Sequence, residues 1–374
     1  MIIAQGIPRI DSMLDLDNLQ EIKKLDKENV LSSIDALPKQ CLHAWEDNEK
    51  LEVPDSYRDI NKIIMTGMGG SGLGARVIES VFANTLKYPL IRINEYDLPK
   101  YTDEKTLVIC SSFSGTTEET VQNAHQAQKA RAKWMAIGTG CTLIDFAKEQ
   151  KVPYYQIIPT YNPSRQPRMA LGYSVCGQLA MVSKAGIVNI TKQDIVSLTK
   201  DMEVIINEAN ANVPAERNPT KMLAKKLYGK KIAFVAARHL LGTAHVTKNQ
   251  MNENAKNFTT IFSIPELNHH LMEGLQFPKS NQEDLLFLFV NSNLYPNRIQ
   301  QRFTITQNIV KENKIQYVNW QAKSSSVLSQ AFEFIQFGGY VEFYLAMLNG
   351  INPAPIPYVD KFKVDLGQPL GQWK

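Results

Sequence analysis

Two turns rich in glycine and hydroxyl side chains are the first places where this 374-residue chain could do chemistry. Gly67-Met68-Gly69-Gly70-Ser71-Gly72 directly follows a short apolar run and directly precedes a helical pattern. Glycines in such a turn admit positive φ and let a ligand approach the backbone. The helix behind it points free N–H groups and the positive end of its dipole at whatever sits there. A phosphate fits that description. The spacing is not the GxGxxG of a dinucleotide site and lacks the lysine of a P-loop, so a tight structural turn is the competing reading of this segment taken alone. The second turn, Ser111-Ser112-Phe113-Ser114-Gly115-Thr116-Thr117-Glu118-Glu119-Thr120, again sits between an apolar run and a helical pattern. Its crowded hydroxyls and turn N–H groups can together hold a phosphate dianion without a cationic side chain. Helix capping by Ser114 or Thr116 is the plainer alternative, but capping needs only one hydroxyl.

Asn252-Glu253-Asn254-Ala255-Lys256 ends a helical pattern and is followed by Pro265-Glu266-Leu267-Asn268-His269-His270. Two of the chain's six histidines are therefore adjacent here, beside two carboxylates. Adjacent histidines point apart on most backbones, and neither HxH nor HExxH spacing occurs, which argues against a metal site. Taken alone, Glu253 reads as a surface helix carboxylate paired with Lys256 at i,i+3. A carboxylate is ionised at neutral pH, and partial burial raises its basicity.

Together these segments resemble the sugar isomerase (SIS) superfamily, and most closely its bifunctional phosphoglucose/phosphomannose isomerases. Five stretches carry the resemblance: GMGGSGLG from Gly67, SFSGTTEET from Ser112, PRMAL from Pro167, NENAK from Asn252 with PELNHH from Pro265, and PIPYVDKFK from Pro355. Their order and spread cover nearly the whole chain. The resemblance implies that Gly70, Ser71, Ser112, Ser114 and Thr117 bind a sugar phosphate, that Arg168 stabilises charge in the intermediate, and that Glu253 is the base. It implies that His269 opens the sugar ring and that Lys363 is the C-terminal active-site lysine, with Lys361 two residues away as the alternative. It also implies a homodimer in which the histidine reaches the neighbouring subunit's glutamate. The chain departs from archaeal members in extra residues near 187–218 and 321–334, and in GSGLG where many have GSAIG.

The implied reaction interconverts glucose 6-phosphate, and mannose 6-phosphate, with fructose 6-phosphate through an enediol. One base must reach two sugar carbons, a group that titrates near neutrality suits ring opening, and a permanently charged donor suits the enediolate. No metal or organic cofactor is required. Two other classes stay in view. A non-catalytic phosphosugar-binding regulator could dispense with Glu253 and Arg168, and would usually be joined to a DNA-binding helix-turn-helix. An aminosugar-phosphate isomerase or deaminase would need an ammonia-handling site, for which no segment is a candidate.

Positioning such turns requires strands that end at them and helices that begin there. Strands are expected over 62–66, 90–94, 106–110 and 134–137, with helices over 72–83 and 118–131. The alternation returns with strands over 231–237, 259–264, 285–290 and 315–318 and helices over 243–256 and 297–313. This is the pattern of an α/β fold with two doubly wound parallel-sheet (SIS-type, flavodoxin-like) domains in tandem. Residues 12–45 read as one or two amphipathic helices, 207–219 as a connection after a long helix, and 328–349 as a closing helix. We therefore expect domains over 1–200 and 201–374. The tail from Ile351 holds four of the eighteen prolines within nineteen residues and reads as an ordered wrap without a long helix.

A 44% apolar and 21% charged composition excludes a disordered chain. A net charge of +4 with interspersed signs excludes a nucleic-acid partner. No run approaches a membrane span and the start lacks signal-peptide order, so a cytoplasmic location is expected. The four cysteines form no CxxC pair and read as reduced, mostly buried residues.

Overall fold

The computed structural model describes residues 13–367. Among these, the first sheet comprises β1 (Lys62–Thr66), β2 (Leu90–Ile93), β3 (Thr106–Ser111), β4 (Lys133–Gly138) and β5 (Tyr154–Gln156), in the order β2-β1-β3-β4-β5. The second comprises β6 (Lys231–Ala236), β7 (Thr259–Ser263), β8 (Leu285–Asn291) and β9 (Gln316–Gln321), in the order β7-β6-β8-β9. Every pairing is parallel. Runs such as KIIMT in β1 and TLVICS in β3, apolar almost throughout and nearly all buried, are what a sheet covered by helices on both faces demands. The α/β class and the two doubly wound sheets expected from the sequence are present.

In both sheets the chain builds outward from a central strand and then crosses to its other side. The strand order reverses between β1 and β3, and again between β6 and β8. Such a reversal opens a crevice beyond the carboxyl ends of the strands, where α/β proteins bind ligands. The glycine turn begins directly after β1 and the hydroxyl turn directly after β3, so both turns border the first crevice.

The chain differs from the sequence reading in detail. Its leading segment forms three helices, Leu19–Leu25, Val30–Asp35 and Leu37–Asp47. The long helix before the connection is Lys192–Ala209, begun by a capping box between Thr191 and Asp194, and the boundary expected at residue 200 lies inside it. The tail carries an 11-residue helix, Pro357–Gly367, with proline as its first residue, where the missing N–H costs nothing. Cys41, Cys110 and Cys176 are buried and Cys141 is exposed, all as free thiols.

The two cores are stitched together. Leu16, Ile22, Val30 and Ile34 from the leading segment pack with the second sheet. The helix Val327–Leu348 is apolar on nearly every face and buried from Leu328 onward. Its first turns pack with the first sheet and the rest with the second. Among the described residues, no helix is long and apolar enough to cross a membrane. At Gly338 this helix crosses Leu241–Glu253 so closely that a Cβ would stand 2.3 Å from Oγ1 of Thr247. That contact sets the position of the helix that ends at Glu253. Gly338→Val should therefore lower the urea midpoint by an amount equivalent to ~1–3 kcal/mol, the usual cost of overpacking. A midpoint equal to that of the unaltered chain would show that the crossing has slack.

Candidate functional site

The crevice of the first sheet is built from backbone and hydroxyls. Ser112 is fully buried; its Oγ donates to Thr117 Oγ1 at 2.8 Å and accepts from the N–H groups of Gly115 (3.1 Å) and Thr117 (3.4 Å). The turn closes because Gly115 adopts φ +74°, and a Cβ there would meet the carbonyl oxygen of Gly140 at 1.8 Å. Exposed Ser114 accepts from the N–H and hydroxyl of Thr116 at 3.3 and 3.1 Å. The capping alternative fails: helix Glu118–Lys129 starts at Thr117 without a side-chain cap, and helix Leu73–Phe82 starts at Gly72 likewise. Two helix ends thus lack side-chain caps for their first N–H groups at one crevice.

The two turns are one unit. Ser71 Oγ accepts from the N–H of Phe113 at 2.9 Å. Gln178, on helix Leu171–Lys184, reaches Ser71 O at 2.9 Å and Ser111 Oγ at 3.0 Å. Gly70 lies against Arg168, since a Cβ on it would stand 3.4 Å from Arg168 Cα. The phosphate-type crevice therefore abuts the arginine.

Arg168 is buried, yet its guanidinium is almost fully engaged. Nε donates to Asn254 Oδ1, Nη1 to Gln166 Oε1 at 3.0 Å, and Nη2 to the carbonyls of Pro353 (3.0 Å) and Ala354. Four donations leave one of its five N–H groups for a ligand. Burial lowers its pKa against the pull of Glu253, Glu342 and Asp360.

Glu253 is the last residue of helix Leu241–Glu253 and is half-buried. Among the described residues its carboxylate makes no hydrogen bond and no ion pair. The surface pairing with Lys256 does not form: Lys256 Nζ instead donates to the backbone carbonyls of Glu253 and Pro353. Burial raises the Glu253 pKa, opposed by Arg168, Lys256, Lys248 and Lys363. Lys363, on helix Pro357–Gly367, thus stands within electrostatic range of Glu253, whereas Lys361 pairs with Asp365 one turn away.

The structure does not bring His269 to this group. It lies exposed on the short helix Leu267–His270, with no hydrogen bond or ion pair to Glu253 or Arg168. Three partners of the site escaped the sequence reading: Gln166, Gln178 and Glu342. Glu342 sits in the middle of the apolar helix Val327–Leu348 and is fully buried. Asn254, whose Oδ1 accepts from Arg168, donates through Nδ2 to Glu342 Oε1 at 2.8 Å, while Oε2 meets no partner. The only sequence signal is a carboxylate in the otherwise uncharged second half of this 22-residue helix.

Burial pushes the Glu342 carboxyl up to about 8, against the Asn254 hydrogen bond and the charges of Arg168 and Lys256. In the unfolded chain the same group loses its proton near 4.5. Its contribution to stability is complete below that value and falls as pH rises toward about 8, because only the unfolded state has then released the proton. The urea stability of the unaltered chain relative to Glu342→Gln should therefore decline across that interval. A difference that stays flat would contradict a protonated Glu342.

The family described as the bacterial phospho-glucose isomerase C-terminal SIS domain matches residues 216–366. A bifunctional phosphoglucose/phosphomannose isomerase of Caldicellulosiruptor bescii is 33% identical over 347 residues, spanning 91% of this chain and 99% of that protein. One from Thermoplasma volcanium is 28% identical over 308 residues, spanning 82% and 91%. Among solved structures, tagatose-6-phosphate ketose/aldose isomerase of Escherichia coli shares the fold with a TM-score of 0.62 at 15% identity, covering 92% of this chain and 96% of the other. With two parallel sheets, paired switch-point turns and this likeness along almost its full length, the chain belongs to the bifunctional phosphoglucose/phosphomannose isomerase family of SIS-domain proteins.

Proposed function

We propose that the chain interconverts glucose 6-phosphate, and mannose 6-phosphate, with fructose 6-phosphate, acting as a cytoplasmic homodimer. The observation that carries this reading is the carboxylate of Glu253, half-buried, unpaired among the described residues and surrounded by the charges of Arg168, Lys256, Lys248 and Lys363. A surface ion-pair carboxylate has no use for such a setting, and a proton-transferring base does. Relatives named for both isomerase activities support the same assignment.

In this reading the first sheet's turns hold the sugar phosphate through Gly70, Ser71, Ser112, Ser114 and Thr117, and the second sheet's helix supplies the base. Glu253 takes the proton from the second carbon of the open-chain aldose and returns it to the first carbon, while the hydroxyl proton on the second carbon's oxygen passes to the oxygen of the first carbon. The pair of electrons left behind moves onto the carbonyl oxygen, where the Arg168 charge and its one free N–H stabilise it. Lys363 adds a further positive charge acting on Glu253. A positioned base of this kind contributes ~100 to ~10,000-fold in rate.

Ring opening calls for a group that exchanges a proton near neutral pH, the role of His269. Its exposure and its lack of contact with Glu253 in the same chain favour delivery from a second copy. The two half-sites would then be complete only in the dimer.

A coupled assay of the purified chain on each aldose phosphate tests the reading, and turnover of both is expected; turnover of neither would reject it. Glu253→Gln should retain substrate binding while turnover falls by ~100 to ~10,000-fold. An active variant would return Glu253 to the role of a surface carboxylate. Inactive Glu253→Gln and inactive His269→Ala chains, mixed under verified subunit exchange, should regain part of the activity, because one hybrid site receives both intact groups. Absence of recovery would mean that each chain carries a whole site.

A further inference from the structure

A second cationic site lies outside the crevice just described. Helix Leu73–Phe82 of the first sheet and helix Leu241–Glu253 of the second approach so closely that a Cβ at Gly242 would stand 2.3 Å from the carbonyl oxygen of Arg76. Beside this crossing is a cleft of about 220 Å³, lined by Arg76, Glu79, Arg92 and His245 and closed by the end of β7. Lys248, one turn beyond His245 on the same helix, faces the same charges. Arg92 is paired with Glu79. Among the described residues, Arg76, His245 and Lys248 have no hydrogen-bond or ion-pair partner through their side chains.

Two half-buried guanidinium groups against one carboxylate leave a net charge of about +1 in the cleft, with Lys248 beyond its edge adding to the positive field, and unpaired like charges are costly to bury. The groups feel that cost. Burial and the neighbouring Arg92 lower the Arg76 pKa, and burial with Arg76, Lys248 and Arg92 pushes His245 down to about 3. A dianion entering the cleft would relieve it and would meet two guanidinium groups, whose fork geometry suits phosphate oxygens. None of the lining residues belongs to the hydroxyl turns or to the Arg168–Glu253 group. We propose that this cleft, formed where Arg76 and Arg92 meet His245 across the two sheets, binds a small phosphate-bearing anion at a site distinct from the substrate crevice.

The test follows the His245 imidazole by NMR in the full-length chain, its resonance assigned by its loss in His245→Gln. Inorganic phosphate and a phosphate monoester without a sugar carbonyl, glycerol 3-phosphate, are titrated in separate arms. A saturable shift of that resonance with either one supports the site and identifies the form it takes. Arg76→Gln should weaken the dissociation constant read from this resonance by about tenfold or more, the loss of one charge-assisted contact. Ser112→Ala, in the other crevice, should leave the constant almost unchanged. If Arg76→Gln does not fold, Arg92→Gln is read in the same way. A His245 resonance that ignores both anions, or that responds equally after loss of Arg76, would overturn the proposal.

Discussion

A guanidinium cannot be buried unless its donors are satisfied and its charge is answered, and Arg168 meets that demand with groups from its own turn and from two distant parts of the chain. Gln166 comes from its own turn, Asn254 from the end of the helix that carries Glu253, and the carbonyls of Pro353 and Ala354 from the start of the tail that carries Lys363. The turn is pinned in turn by buried Gln40, which donates to the carbonyls of Tyr161 and Met169 and accepts from the N–H of Gly172. Satisfying one charge therefore fixes the helix end at Glu253, the tail and the floor of the phosphate-type crevice relative to one another. A lysine could not do this, since its point charge lacks the planar fork that reaches three directions at once.

The same residue carries the electrostatics. Were Glu342 ionised, it would sit one amide away from Arg168 as a full counter-charge and spend the arginine's field on itself. Burial keeps it protonated up to about pH 8, so it orients Asn254 while leaving Arg168 positive toward Glu253. Glu253 is thus held between opposing influences, burial favouring its proton and the cations favouring its release. That balance is what a base working near neutrality requires.

The sequence made the strands and the switch-point turns legible because each rests on local signals. Apolar runs end at glycine or serine, and NENAK closes a helical pattern. The partners that hold Arg168 were not legible, because carbonyls of Pro353 and Ala354 carry no side-chain signature and Asn254 looked like one more polar residue beside Glu253. Gln178 and Glu342 lie in helices so thoroughly buried that amphipathic periodicity, the usual guide to facing, is absent. The tail misled for a related reason: its prolines at 353 and 355 do prevent a helix, but Pro357 begins one. His269 was assigned its role by the family resemblance, and it lies exposed without a hydrogen bond or ion pair to Glu253.

Exchange of the second-carbon hydrogen of glucose 6-phosphate with deuterated solvent reads the proposed proton transfer itself, independent of product release or coupling enzymes. The unaltered chain is expected to place solvent deuterium at that carbon during turnover, and Glu253→Gln to lose the exchange while still binding the sugar phosphate. Exchange at full rate in Glu253→Gln would contradict the account, because the group that Arg168 holds in place would then not be the base.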